Sequence, residues 1–180
     1  MHTDQSLPPP ALLATSQLCT TWGLRDGRYW LLDVRRVRLE FPDLLRLAAG
    51  LAEEHAAARV LVEDASSGTA LAQALPSQVR AAVVPIRPKL DKPARAQRAS
   101  AVFEAGRVLL PEQAAWLLEY RRELLGFPGG RHDDQVDSTT QFLIWAEERP
   151  KPRPPIRIGV ISIPNPPGSI SLRSDAPHCW

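Results

Sequence analysis

A tight hairpin followed by alternating helix and strand patterns is the feature that most limits the folds open to this chain of 180 residues. Residues 18–24 and 29–34 are rich in β-forming side chains, and Asp26 and Gly27 between them favour a two-residue turn. Helical and apolar strand patterns then alternate along the chain. Antiparallel strands followed by crossover units predict an α/β fold, in which a mixed sheet is flanked by helices on both faces.

The remaining patterns divide the chain into three parts. Residues 1–17 contain three consecutive prolines and are predicted to be irregular, residues 18–149 to form the folded domain, and residues 150–180 to form an extended, proline-rich tail. Within the domain, helices are predicted from Pro42 to Glu54, Thr69 to Leu75, Pro93 to Ala105, Glu112 to Leu125 and over the segment that ends near Trp145, with strands at 59–63, 79–86 and 107–111.

Three carboxylates and a histidine crowd into residues 130–137 (GRHDDQVD), at the start of the last predicted helix. Residues three or four apart share a helix face, so Asp134 and Asp137 can point the same way, as can Asp133 and Asp137. Such carboxylates repel one another unless a cation or solvent relieves them. A favourable interaction with the helix dipole would explain one of these acids well but three of them poorly.

A second acidic pair follows the apolar run 59–62, where Glu63 and Asp64 end a predicted buried strand. Oxygen ligands that converge from separate elements suit Mg²⁺ or Mn²⁺, and two such ions are a known device for cutting phosphodiesters. The plainer alternative is that the pair only closes the strand, with Asp64 capping the turn into residues 66–68.

Basic residues are concentrated in the loop and helix after residue 88. The formal charge is only +2, so nucleic-acid binding would need a local patch of this kind. These side chains are either a solvated face or contacts to DNA phosphates, which position DNA without reading its sequence. The candidate residues are Lys89, Lys92, Arg95 and Arg98.

The two cysteines and the hydropathy exclude several other classes of protein. Cys19 and Cys179 have no metal-binding spacing, and we expect a reducing, intracellular setting. No stretch approaches the roughly 20 apolar residues that span a bilayer. The first residues lack the basic and apolar regions of a signal peptide.

Four segments carry a family resemblance when they are taken together. They are residues 18–24, 29–34, 62–71 and 130–138, with 89–92, 95–96 and 103–108 between them. This combination resembles the C-terminal nuclease domain of tailed-phage terminase large subunits, over about Leu18 to Glu147. The resemblance implies an RNase H-like fold and an endonuclease that uses Mg²⁺ or Mn²⁺ to cut concatemeric viral double-stranded DNA.

The resemblance also implies roles for individual residues. Glu63 and Asp134 match the catalytic, metal-binding acids, with Asp133 as the second choice on the helix and Asp137 as a neighbouring ligand. The family's first catalytic aspartate lies on a strand shortly before the Cys-Thr-Thr-Trp stretch. Here Asp4 is the candidate, but three prolines follow it closely and proline cannot donate to a sheet ladder. We therefore expect that Asp4 does not complete the site.

Three functions stay open at this point. The first is a packaging endonuclease that acts on double-stranded DNA in the bacterial host cytoplasm, with a terminase small subunit, portal or separate ATPase subunit as partners. No G-x-x-x-x-G-K-[ST] loop is present to supply the ATPase itself. The second is an inactive, truncated terminase from a prophage remnant that keeps the fold and binds DNA or partners. The third is another RNase H-like nuclease, such as a junction resolvase.

Overall fold

A single mixed sheet of six strands organises the computed structural model, which describes residues 11–14, 18–64 and 67–149, with the backbone alone for residues 11–14 and Ser67. The strands are β1 (Ala11–Ala14), β2 (Leu18–Arg25), β3 (Arg28–Arg36), β4 (Arg59–Glu63), β5 (Ala82–Ile86) and β6 (Val108–Leu109). They are ordered β5-β4-β1-β2-β3-β6. The β1–β2 and β2–β3 pairs are antiparallel, and the β1–β4, β4–β5 and β3–β6 pairs are parallel. The predicted mixed α/β architecture is confirmed.

Within the described residues, five helices and one short 3₁₀ turn accompany the strands. They are α1 (Phe41–Glu54), α2 (Ser67–Ala74), the 3₁₀ turn Leu75–Ser77, α3 (Lys92–Glu104), α4 (Leu117–Gly126) and α5 (Asp134–Glu148). Buried side chains of α1 and α2 pack on one face of the sheet. Those of α3, α4 and α5 pack on the other. The helices therefore cover both faces of the sheet, as predicted.

The alternation of side chains along a strand decides which face each residue serves. In β4, Val60 and Val62 join the core beneath α1 and α2, whereas Leu61 joins the core beneath α3 to α5. Both faces of this strand are covered, which is why it is an unbroken apolar run. The same alternation directs Glu63 toward the α5 side of the sheet, because it lies two residues after Leu61.

The hairpin between β2 and β3 forms as the sequence predicts. Asp26 and Gly27 occupy the two turn positions with φ angles of 49° and 72°. A turn with both central residues at positive φ matches the right-handed twist of the flanking strands, and Asp-Gly tolerates it well. The hairpin aligns Thr20 and Trp22 with the core below α5.

Several predictions of local structure were wrong, and the predicted strand 107–111 is only Val108–Leu109. The segment 1–17 is not irregular throughout, because Ala11–Ala14 forms β1 between β2 and β4. Helix α4 begins at Leu117 rather than Glu112. Strand β5 begins at Ala82 rather than at residue 79. The four residues of β1 carry too little alternation to predict a strand, and β1 forms because it pairs with β2 and β4. Asp4 and the predicted tail 150–180 lie outside the described residues.

Candidate active site

Glu63 marks the place where β4 meets α5. Its Oε2 atom accepts a hydrogen bond from Nε2 of Gln141 at 3.2 Å. Gln141 is buried in the middle of α5, and Glu63 is half-buried. The acid that ends β4 therefore faces α5, as its position in the strand requires.

Hydrogen bonds and ring stacking fix the rotation of α5 over the sheet. The hydroxyl of Thr20 on β2 bonds that of Ser138 on α5 at 2.7 Å, and Nε1 of Trp22 donates to the same Thr20 hydroxyl at 3.0 Å. One turn farther along α5, the ring of Phe142 stacks on Trp22 with centroids 4.6 Å apart. Because these groups are buried, their bonds compensate for lost hydration and hold the helix in one orientation.

A buried carboxylate holds the first turn of α5. Glu123 on α4 accepts from the backbone N–H of Gln135 at 2.6 Å and from its side-chain amide at 2.7 Å. Arg36 on β3 donates to the same carboxylate at 2.5 Å. A carboxylate on the free N–H groups of a helix start is favourable, and the arginine balances its charge. Glu123 therefore fixes the position of the first turn of α5, which carries Asp134 and Asp137.

Two of the α5 acids are paired with cations from α3. Nζ of Lys92 lies 2.7 Å from an oxygen of Asp133 and 2.7 Å from an oxygen of Asp137. Arg95 also pairs with Asp137. The hydrogen bonds to Asp133 and then Asp137 raise the pKa of Lys92 above its ordinary value, so the ammonium stays charged. The repulsion expected among these acids is thus relieved by protein cations.

Asp134 differs from its two neighbours. Its side chain is exposed, and within the described ranges it forms no ion pair. Asp134 and Gln141 are seven residues apart, which places them on one side of α5 and about 10 Å apart along its axis. The contact from Glu63 is made at Gln141, so the predicted approach of Glu63 to Asp134 stays a prediction.

Asp64, the residue after β4, contacts α2 and the segment that follows β5. It accepts from the hydroxyl of Thr69 at 2.8 Å and from Nε of Arg87 at 2.7 Å. These bonds, that of Thr69 first, lower the pKa of Asp64 below its ordinary range. These contacts agree with the plain alternative for Asp64, a structural role, which stays a prediction.

The acids present suit a divalent ion in type but not in number. Carboxylate oxygens are the ligands that Mg²⁺ and Mn²⁺ prefer. Over residues 11–14, 18–64 and 67–149, however, no group of three or more His, Cys, Asp or Glu side chains is close enough to hold a metal ion. Strand β1, which lies beside β4, has the sequence ALLA and contributes no acid.

The four predicted DNA-binding residues differ in whether they form ion pairs. Lys92 and Arg95 are engaged by the α5 acids, and Arg98 pairs with Glu148 at 3.0 Å. Lys89 is exposed and has no ion pair within the part of the chain that the structure describes.

Sequence reasoning missed the buried polar residues of α5. Four consecutive polar residues of α5 are buried: Ser138, Thr139, Thr140 and Gln141. Three of them, Ser138, Thr139 and Gln141, form hydrogen bonds to other elements. Four consecutive polar residues directly before the apolar run of this helix were the available signal. None of the helices in the described residues is long and apolar enough to cross a membrane.

A family model matches most of this chain, and solved structures share its fold. The profile described as the terminase RNaseH-like domain matches residues 14–145. The large terminase nuclease of thermophilic phage G20c with bound cobalt is 18% identical, with a TM-score of 0.58 over 75% of this chain and 80% of that one. The same nuclease with bound magnesium is 18% identical, with a TM-score of 0.56 over 76% and 82%.

A nuclease domain from another virus has a similar fold. The manganese-soaked, inhibitor-bound nuclease domain of the human cytomegalovirus terminase is 12% identical, with a TM-score of 0.51 over 77% of this chain and 81% of that one. At these identities the structures show the fold, and they confirm the predicted RNase H-like sheet. A search of curated protein sequences found no match.

Proposed function

The chain belongs to the terminase RNaseH-like domain family, and on this basis we propose that it is a metal-dependent endonuclease that cuts double-stranded viral DNA during packaging. The observation that carries the proposal is the meeting of β4 and α5. Glu63, at the end of a central strand, touches the helix whose first turn bears Asp134. Two carboxylates from distant parts of the sequence thus lie on adjoining elements at one side of the sheet.

Glu63 and Asp134 would hold the metal, with Asp133 as an additional ligand and Asp137 as its neighbour. The ion would be Mg²⁺ or Mn²⁺, and it would supply an activated water and stabilise the leaving oxygen. The chain's own contribution is positional. Gln141 orients the Glu63 carboxylate, while Glu123 and Ser138 fix where α5 begins and how it is rotated.

The DNA contacts would come from the basic residues of α3 and the loop before it. Lys89 and Arg98 are exposed, whereas Lys92 and Arg95 pair with Asp137 of α5. Such contacts bind phosphates and would make cleavage largely insensitive to sequence. In the host cytoplasm, the domain would work with a terminase small subunit, portal or separate ATPase subunit.

A second candidate is a domain of the same fold that binds DNA without cutting it. Strand β1 has no carboxylate, and protein cations already occupy Asp133 and Asp137. A site with fewer acids would bind metal weakly, because each lost carboxylate removes both a ligand and a negative charge. This candidate keeps the DNA contacts and loses only the chemistry.

Plasmid cleavage by the purified chain separates the two candidates. With Mn²⁺ or Mg²⁺ we expect weak cutting that stops in chelator, in Asp134→Asn and in Glu63→Gln. The matched control is Asp43→Asn, an exposed acid on α1, which should cut like the parent. Metal-independent cleavage, or full activity in Asp134→Asn, would contradict the proposed nuclease. DNA binding without cleavage under any metal would favour the second candidate.

A further inference from the structure

Lys92 is the first residue of α3, and its ammonium bridges two acids at the start of α5. Its Nζ atom lies 2.7 Å from an oxygen of Asp133 and 2.7 Å from an oxygen of Asp137. Arg95, one turn farther along α3, also pairs with Asp137. Two positive and two negative charges meet here, so this α3–α5 cluster is neutral as a whole.

The neutrality of the α3–α5 cluster limits what Lys92 contributes to DNA binding. Cationic side chains bind DNA because they neutralise phosphates and release the counterions of the DNA. A phosphate beside the Lys92 ammonium would also lie within about 6 Å of the Asp133 and Asp137 carboxylates, and like charges at that distance repel one another. While both acids hold it, Lys92 is therefore withheld from DNA.

Two neighbouring cations are not withheld in this way. Lys89, three residues earlier, is exposed and has no ion pair in the described ranges. Arg98 pairs with Glu148 at 3.0 Å, but both side chains are almost half exposed. A surface ion pair of this kind is weak, so it is readily exchanged for a phosphate. Lys89 and Arg98 can thus bind DNA while Lys92 remains in the cluster.

The two cations of the cluster differ in their freedom to move. The side chain of Arg95 is only 8% exposed, and its Nη1 atom donates to the carbonyl oxygen of Leu90 at 2.8 Å. The side chain of Lys92 is 46% exposed, and within the described residues its ion pairs are those with the two acids. Lysine carries its charge on a flexible four-carbon stem. Arg95 is therefore a fixed part of the cluster, whereas Lys92 can leave it for an anion at the surface.

We propose that Lys92 is a switch for DNA binding. Its ammonium stays on Asp133 and Asp137 until these acids are neutralised, as by a bound divalent cation, and it then binds a DNA phosphate. The inference rests on the proposed function, because it takes the α5 acids as metal ligands and DNA as the substrate. It adds that the two binding events are coupled through one side chain. Since such coupling is reciprocal, metal on the acids strengthens DNA binding and DNA strengthens metal binding.

Asp133→Asn imitates a neutralised acid without any metal, and Asp134→Asn is its matched control. Both variants lose one negative charge at adjacent positions, but only Asp133 of the two pairs with Lys92. Fluorescence anisotropy in chelator measures the binding of the full chain to a labelled blunt duplex over a series of salt concentrations. We expect Asp133→Asn to bind at least about fivefold more tightly than Asp134→Asn. Its log affinity should also fall more steeply with log salt, by about one unit of slope, because one more phosphate is contacted.

The same pair of variants in a Lys92→Met background shows whether the gain passes through Lys92. We expect the advantage of Asp133→Asn over Asp134→Asn to disappear there. Thermal melting shows whether each variant is folded, and the Asp133 side chain makes no capping hydrogen bond whose loss would weaken α5. A gain that persists in the Lys92→Met background would overturn the switch.

A comparison of two lysines tests the switch without changing an acid. In chelator, Lys89→Met should reduce the salt slope by about one unit, whereas Lys92→Met should leave it unchanged because Lys92 makes no phosphate contact in that state. An equal loss of slope in both variants would overturn the switch. Equal affinity and equal slope in Asp133→Asn and Asp134→Asn would overturn it as well, and the nuclease function would still stand. Failure of every variant to bind DNA would overturn both proposals.

Discussion

Replacing Gly68 by alanine tests the local geometry at Glu63 most directly. Gly68 lies in the first turn of α2, where an added Cβ atom would overlap the carbonyl oxygen of Glu63 and lie 3.1 Å from its carbonyl carbon. Carbon atoms pack comfortably at about 3.5–4.0 Å, so α2 and the end of β4 would have to move apart. The residue that must move is the one that carries the candidate metal ligand.

The core between the sheet and helices α1 and α2 resists a movement of α2 away from β4. Leu71 and Leu75 hold α2 and the following turn against Val62, and all three are fully buried. Overpacking of a dense core costs about 1–3 kcal/mol. Alanine recovers about 0.5–1 kcal/mol of this because glycine weakens a helix. We expect Gly68→Ala to lower the free energy of unfolding by about 1–2 kcal/mol.

Urea unfolding followed by circular dichroism measures this change. The matched control is Gly50→Ala in α1, where an added Cβ meets nothing within 4 Å. There the helix preference acts alone, and the free energy of unfolding should rise by about 0.5–1 kcal/mol. If both variants were stabilised equally, the close approach of α2 to Glu63 would be refuted.

Three further predictions follow from the contacts around α5 and the core. Lys92→Met removes an ammonium that lies 2.7 Å from the Asp133 and Asp137 carboxylates. Because this cation no longer competes with a metal ion for the carboxylates, Mn²⁺ should bind roughly fivefold more tightly in titration calorimetry. The control is Lys89→Met, and equal Mn²⁺ affinity in the two variants would contradict the competition. Glu123→Gln should lower the free energy of unfolding by about 1–3 kcal/mol, because the charged acceptor at the start of α5 is lost, and unchanged urea unfolding would refute that role. Burial raises the pKa of Cys19 from 9.0 to about 12, and burial with a bond to Glu147 raises that of Tyr29 from 10.0 to about 12. Because both groups lose their protons at lower pH in the unfolded chain than in the folded protein, stability should be full below pH 9 and fall toward pH 12. A urea midpoint that stays constant across this range would contradict the prediction.

The sequence by itself determined the local elements that have strong patterns. The Asp26–Gly27 turn needs only two residues that accept positive φ, and α1 shows its apolar periodicity over three turns or more. The apolar run of β4 shows that both its faces are buried, and it places Glu63 at the strand end. The family motifs around these elements were sufficient to predict the nuclease fold.

Only the tertiary structure decided what surrounds the acids. Lys92 and Arg95 lie some 40 residues before Asp137, and nothing in their local pattern states that α3 packs beside α5. The burial of Gln141 against Glu63 joins positions 78 residues apart. Strand β1 is defined by its neighbours on both sides rather than by its own four residues. Local sequence encodes periodicity and turns, whereas long-range pairing depends on which faces exclude water together, and this becomes definite only when the whole core is packed.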